Sequence, residues 1–436
     1  MDILIKNGIV VAMDNQRRVL KNFSVAISEG RIVEIGANIK GEADVVIDAA
    51  KKIVMPGLIN THTHLAMTLF RGIADDVPLM KWLREVIWPI ESKLEAKHVY
   101  AGSLLGCLEM VKSGTTCFND MYFFLDEVAK SIGESGIRGV ISHAMFDFGG
   151  GGKTEAALRH GEENIRKYSA GGRVRAFFGP HAPYTCSEEL LIKTKELADK
   201  CGTGIHIHVA ETKEEVENSK KEKGLPPFEY LEKIGFLGPT VVAAHSTWTS
   251  DREIENIKKR DVKIAHNPTC NMKLASGVAR VPDFLEKGIV VSLGTDGAAS
   301  NNSLDMFDDL KICALVHKLH NRNPSLVPAE KVLEFATING AKALGMEKEI
   351  GSIEVGKRAD VILVDLNKPH LTPLSNPVSH LVYSAVGSDV DTVIVDGKVV
   401  MQGRQVKTLN EGKVLKFANE QTYDLLEKAG KTELLL

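Results

Sequence analysis

Three absences narrow what this 436-residue chain can be. Its six cysteines (Cys107, Cys117, Cys186, Cys201, Cys270 and Cys313) are scattered, with no CxxC pair. In a chain of this length that spacing argues against a disulfide framework and reads as reduced, mostly buried thiols of a cytoplasmic protein. Neither sign of charge dominates. Lys plus Arg number 54 against 57 Asp plus Glu, a formal charge of −3, which disfavours a general nucleic-acid or membrane-surface binder. No apolar run reaches the ~18 residues of a transmembrane helix, and the N-terminus Met1-Asp2-Ile3-Leu4-Ile5-Lys6 lacks a signal-peptide pattern. Two catalytic designs are missing as well: no G-x-S-x-G elbow for a serine hydrolase, and no H-x-E with P-C-x-x-C for the cysteine-ligated zinc deaminases.

What is present falls into two textures. Residues 2–13, 23–36 and 45–54 are short and β-rich, with a hairpin signal at Glu29-Gly30. The same texture returns at Ala359–Asp365 and Asp391–Val400, with a turn at Asp396-Gly397. The two ends therefore read as one small β-sandwich, built from 1–56 and 351–410. Between them, over 57–350, short apolar strands alternate with helical stretches. Strand ends are expected at Asn60–His64, Thr115–Asn119, Val140–His143, Phe177–His181, His206–His208, Val242–His245, Ile264–His266 and Ser292–Asp296. Helices such as Leu79–Leu94, His98–Lys112, Ser187–Lys200 and Asp251–Lys259 lie between some of them. Eight such units predict a (β/α)8 TIM barrel, an α/β fold. A doubly wound sheet would need a Gly-rich turn after its first strand, and none is convincing. The tail 411–436 reads as a charged helix. The run Gly149–Gly152 reads as a mobile active-site loop.

Histidines and acids cluster at the strand ends, where barrels of this kind build their sites. His62 and His64 in GLINTHTH point to one side of a strand, so two imidazoles can grip one metal. An isolated HxH could equally be two polar residues at a strand end. His206 and His208 form a second HxH in GIHIHVAETKEE, with Glu211 three residues beyond His208. A carboxylate after an imidazole ligand suits a metal site whose water needs a proton shuttle; His206, one step deeper, reads as a supporting or core residue. His245 ends the apolar run TVVAAHS, and Asp296 follows the apolar strand in IVVSLGTDGAAS. A buried carboxylate there is costly unless paired or bound to a cation. Together these place one metal on His62, His64, His208 and Asp296. Imidazoles with a carboxylate favour zinc, with iron or manganese as substitutes.

PGLINTHTH, HVAET, the AAHS strand end, SLGTDGAASNNSLDM and GSIEVGKRADVILVD resemble the amidohydrolase superfamily, most closely its 5′-methylthioadenosine/S-adenosylhomocysteine deaminase branch. The resemblance spans nearly the whole chain. It implies His62, His64, His208 and Asp296 as ligands of a single zinc per subunit, Glu211 as the group handling protons at the purine ring, and His245 as the residue orienting or deprotonating the water. Relatives with two metals carry a lysine at the end of strand four; here that strand, VRAFFGPHAPYT, ends near His181, which favours one metal. By the same resemblance Glu91 in WLREVIWPIESK binds ribose hydroxyls, His181 contacts the nucleoside, Trp82 and Trp88 line the 5′ substituent, and Ser300 touches the ring. Read alone, Glu91 is a solvated helix carboxylate and the tryptophans are packing residues. His143 stands where bacterial relatives place one arginine that meets an amino-acid carboxylate; the second has no clear counterpart, with Lys153 or Arg159 as substitutes.

The function this implies is hydrolytic deamination of 5′-substituted adenosines: 5′-methylthioadenosine, S-adenosylhomocysteine, 5′-deoxyadenosine or adenosine. The partner is a small-molecule nucleoside, with no nucleic acid or membrane, in a homo-oligomer (dimer or tetramer). The alternatives share the metal set. One is a guanine or cytosine deaminase or a triazine-type chlorohydrolase, which would have no ribose for Glu91. The other is a non-catalytic barrel scaffold, which would be expected to have lost ligands.

Overall fold

The computed structural model describes residues 1–147, 152–168 and 171–435. Most of the expected glycine loop, Gly149–Gly151, lies outside the described residues. The chain carries two sheets. One is an eight-stranded parallel sheet of β1 (Leu58–Thr63), β2 (Thr115–Tyr122), β3 (Arg138–Met145), β4 (Val174–Pro180), β5 (Ile205–Val209), β6 (Val241–His245), β7 (Lys263–His266) and β8 (Val291–Leu293). These strands neighbour one another in sequence order with helices between, the (β/α)8 arrangement. The ends of the sheet meet through buried hydrogen bonds. Thr61 Oγ1 lies 2.8 Å from Ser292 Oγ, Asn60 Nδ2 donates to Thr295 Oγ1 at 2.7 Å, and the Asp296 N–H donates to the His62 carbonyl at 2.9 Å. A Cβ on Gly294 would lie 2.8 Å from the His62 nitrogen, so only glycine lets the eighth strand approach the first this closely.

Strand composition explains the burial. VVAAH in β6 and IHIHV in β5 are buried at every position, because one face points into the barrel and the other meets helices. The helices follow local signals. The Asp251–Lys259 helix opens on a reciprocal Ser250–Glu253 capping box. The Glu188–Cys201 helix starts on the Ser187 side chain and ends at Gly202, whose φ is +63°. The expected Leu79–Leu94 helix is instead three short pieces: Leu79–Trp82, a π-helical turn at Leu83–Ile87, and Trp88–Glu91. Pro89, in the first turn of the last piece, has no N–H to continue the ladder.

The second sheet has nine strands and draws on both chain ends. Lys52–Pro56 lies between Ile3–Val11 and Val361–Asp365, pairing parallel to the first and antiparallel to the second. Ile5, Val25, Val54, Leu363 and Ile394 pack into its own small core. Buried Arg138 of β3 ties the sheet to the barrel through paired bonds to Asp360 at 2.9 and 3.1 Å. The tail is helical over Glu411–Lys428 and lies on the Ala96–Lys112 helix. Among the described residues no helix is long and apolar enough to cross a membrane.

Candidate active site and metal centre

The C-terminal ends of the barrel strands meet at a cavity. His64, Glu91, His181, His208, Glu211, His245, Asp296 and Ser300 line it together with Trp82 and Trp88. His62 lies beneath, fully buried. His143 does not reach this cavity; it lines an adjoining one with Glu91, Phe123 and His160.

Four side chains converge at the cavity floor. Asp296 Oδ1 is 3.2 Å from His62 Nε2 and 3.3 Å from His64 Nε2, and His64 Nε2 is 3.3 Å from His208 Nε2. Each imidazole is held from behind. His64 Nδ1 faces the Met121 carbonyl at 2.7 Å, and His208 Nδ1 faces the His181 carbonyl at 2.8 Å. A carbonyl only accepts, so both Nδ1 atoms carry the proton and both Nε2 atoms present a lone pair inward. Two lone pairs 3.3 Å apart repel unless a cation lies between them. His62 Nδ1 is 2.7 Å from His206 Nε2, and its Nε2 is buried without a hydrogen-bond partner among the described residues. Three lone-pair nitrogens and a carboxylate pointing at one spot fit a divalent metal, and this donor chemistry suits zinc.

The charges agree with that reading. Burial pushes His62 down to about 4, against the pull of Asp296, which keeps the ring in its neutral, ligating form. Burial alone would raise Asp296, but His62 first, then His64 and His245, hold it well below the usual carboxylate range. Asp296 is further fixed by the Gly297 N–H at 2.8 Å to Oδ1, and by Cys270 Sγ–H at 2.8 Å and Ser300 Oγ–H at 3.0 Å to Oδ2. Asp296 and His245 both sit at positive φ, +65° and +66°. Such backbone costs about 1–3 kcal/mol per residue and recurs at functional sites.

Across the floor, His245 Nε2 is 3.8 Å from Glu211 Oε2 and 4.0 Å from Asp296 Oδ2. Its Nδ1 lies 2.9 Å from Asn271 Oδ1, an acceptor, so that nitrogen is the protonated one. Burial would lower His245, but Glu211 and Asp296 outweigh it and raise the ring. Burial raises Glu211, with Asp296 adding to the rise and His245 opposing it. The Glu211 loop is clamped by Glu215, which accepts the backbone N–H groups of Ala210 and Glu211 at 2.8 Å each. His181 is pushed down to about 3 by burial, so it meets a ligand as a neutral ring.

At the other end Tyr122 O–H donates to Glu91 Oε1 at 2.8 Å. Burial pushes Glu91 up to about 7 against that bond. Around it Leu79, Trp82, Leu83, Ile87, Trp88, Phe123 and Phe146 form an apolar wall. Among the described residues, those lining the cavity include no lysine or arginine.

Sequence reasoning missed Tyr122, Cys270, Asn271 and Glu215. Tyr122 carried a usable signal, since it ends β2 much as histidines lie at or beside the ends of β1, β5 and β6. Glu215 sits four residues after Glu211, a spacing that could have marked it. Cys270 and Asn271 follow a strand end at His266 but lie in a short helix, where nothing local points to the site.

Comparison with known proteins places the chain in context. Residues 53–400 match the profile of the amidohydrolase family. A 5′-deoxyadenosine deaminase of Methanosarcina acetivorans is 53% identical over 98% of this chain and 99% of its own length. A 5-methylthioadenosine/S-adenosylhomocysteine deaminase of Thermoanaerobacter pseudethanolicus is 48% identical over 98% of this chain and the whole of its own. Among solved structures, an adenosine deaminase of Xanthomonas campestris with bound zinc superposes with a TM-score of 0.94 at 34% identity, covering 98% of this chain and 99% of the other.

Proposed function

The chain belongs to the amidohydrolase family, and on that footing we propose that its cavity carries out hydrolytic deamination of 5′-substituted adenosines to the matching inosines and ammonia. The observation that supports this most is the pairing of two ends in one cavity: a metal-fitting donor set beside Glu211 and His245, and a carboxylate, Glu91, at the far side. Between them lies room for a nucleoside, with an apolar wall for a 5′ group.

His62, His64, His208 and Asp296 would hold one zinc ion per subunit. When bound, zinc supplies Lewis acidity that brings the pKa of water toward about 7. Glu211, whose proton affinity burial raises, donates a proton to N1 of the adenine ring, which makes C6 electrophilic. His245, oriented by Asn271, and Asp296 Oδ2 hold the attacking water and take its proton as oxygen adds to C6. The Glu211 carboxylate then accepts the hydroxyl proton of the adduct. The proton taken from water passes to the 6-amino group, and ammonia leaves. Each proton lent by the protein returns to it, and the product keeps one on N1. Glu91 accepts from ribose hydroxyls with the oxygen Tyr122 leaves free. His181 meets the nucleoside as a neutral ring, Trp82 and Trp88 flank the 5′ group, and Ser300 steadies Asp296 close to the purine.

A substrate panel followed by ultraviolet absorbance and ammonia release tests this. It contains 5′-deoxyadenosine, 5′-methylthioadenosine, S-adenosylhomocysteine, adenosine, adenine, guanine and cytosine. Turnover of the 5′-substituted adenosines that a chelator abolishes and zinc restores is the expected result. Turnover of a free base alone would keep the metal centre and remove the ribose role of Glu91.

A further inference from the structure

A second histidine cluster lies away from the cavity. His266 ends β7, and Cys313 and His317 lie four residues apart on the Met306–His320 helix. That spacing puts both helical side chains on one face, which meets His266. All three are essentially enclosed, at 1% exposure or less. Their ligand atoms lie within 4.8 Å of one another, and the two Nε2 atoms are 3.1 Å apart.

Two neutral imidazoles can share one proton at that distance. The bond leaves Nδ1 of both rings buried without a hydrogen-bond partner among the described residues. Holding so many polar atoms in the core needs a compensating interaction. The spacing suggests which one. Two nitrogens on a tetrahedral zinc, each at about 2.05 Å, stand about 3.3 Å apart, close to what is seen. Burial keeps both rings neutral, pushing His317 down to about 4 and His266 well below its ordinary value. It also keeps the unligated Cys313 thiol protonated.

We infer that His266, Cys313 and His317 form a second, structural metal site for a borderline-soft divalent cation such as zinc, tying β7 to the Met306–His320 helix. On binding, the Cys313 Sγ–H proton leaves to solvent as the metal–sulfur bond forms. The proton shared by the Nε2 atoms moves to Nδ1 of its ring. Because all three side chains are enclosed in the folded chain, the ion loads as the chain folds. The site bears on the cavity through the same helix. Asp309, one turn before Cys313, accepts from Asn301 Nδ2 at 3.0 Å and so steadies the turn that follows Asp296.

The test uses the full chain, refolded with cobalt(II) in place of zinc and dialysed. Two cobalt ions per chain are expected, with a thiolate-to-cobalt charge-transfer band in the near ultraviolet. The His62, His64, His208 and Asp296 set has no sulfur and cannot produce that band. Cys313→Ala should lose the band and one equivalent of metal. If that variant does not fold, His317→Gln, whose amide can still bond His266, should lose the same equivalent. Because the cavity set is silent in this band, a band with only one equivalent bound would fail the cavity centre and keep this site. One cobalt per chain with no band overturns the inference. So does a band that survives Cys313→Ala and disappears in Cys270→Ser, which would put the thiolate beside Asp296.

Discussion

The two ends of the cavity are built in opposite ways. The metal-fitting end stands on strand termini. His62, His64, His208 and Asp296 come from or directly follow β1, β5 and β8, and each is braced by a partner behind it: His206, the Met121 carbonyl, the His181 carbonyl and the Gly297 N–H. The far end, proposed above to face the sugar, stands on a broken run of helix, Leu79–Glu91, made of pieces of four or five residues. There, among the described residues, one side-chain bond from Tyr122 ties Glu91 to the barrel. Groups that must meet a reacting atom within fractions of an ångström sit on the rigid sheet. Groups that grade substrates by their sugar and 5′ substituent sit where the backbone can vary at little cost to the barrel.

Substitutions can break this contrast, beginning with the largest effect. Glu211→Gln removes the N1 proton donor and should lower kcat about 10²- to 10⁴-fold, with zinc content by atomic emission unchanged. Full turnover with metal bound would refute the proton role. His206→Leu leaves the donor set intact but frees the His62 ring. It should weaken metal affinity about 10- to 100-fold, read by competition with a chromophoric chelator, and activity should return in excess zinc.

At the far end, Glu91→Gln should raise KM for nucleosides on the order of 10- to 100-fold, the worth of hydrogen bonds to a charged group. Activity toward free adenine, however weak, should not change. The same change should stabilise the protein. Glu91 is raised from 4.5 to about 7, so its ionised form is disfavoured by folding. Stability is therefore lost as pH climbs from 4.5 to about 7 and stays lower above that. The variant should gain on the order of 1–3 kcal/mol above this window and nothing below it, measured by denaturant melts at both pH values. An equal gain at both would show that the gain is not electrostatic. The smallest effect belongs to Tyr122→Phe. A lost hydrogen bond of about 1 kcal/mol should raise nucleoside KM about five-fold with kcat nearly intact. Since that bond lowers Glu91, its loss should move the rising limb of kcat/KM against pH to higher pH. A KM change without that displacement would mean Tyr122 serves packing alone.

The barrel was legible in the residue order because parallel buried strands read as short apolar runs, and a histidine or acid at their ends breaks the run visibly. All eight expected strand ends lie on or beside observed strands. The broken Leu79–Glu91 run was not legible. Its composition favours a continuous helix, whereas the structure has a π-helical turn at Leu83–Ile87 and a proline in the first turn of the last piece. The pairing of His62 with His64 could be written down from strand parity, since alternation along a strand is a local rule; His208 and Asp296 joined them through their strand-end positions and the family resemblance.

The bracing could not. His62 meets His206 across 144 residues, Cys270 from a short helix and Ser300 from a turn converge on Asp296, and His266 meets His317 across 51. Which residues carry chemistry is written in local order, through apolar runs and the polar side chains that end them. Which tautomer each imidazole takes, which oxygen of Asp296 faces His62 and His64 and what stands behind Glu91 are set by contacts between distant segments. Those contacts exist only once the sheet has closed and removed the water that would otherwise have satisfied the same groups.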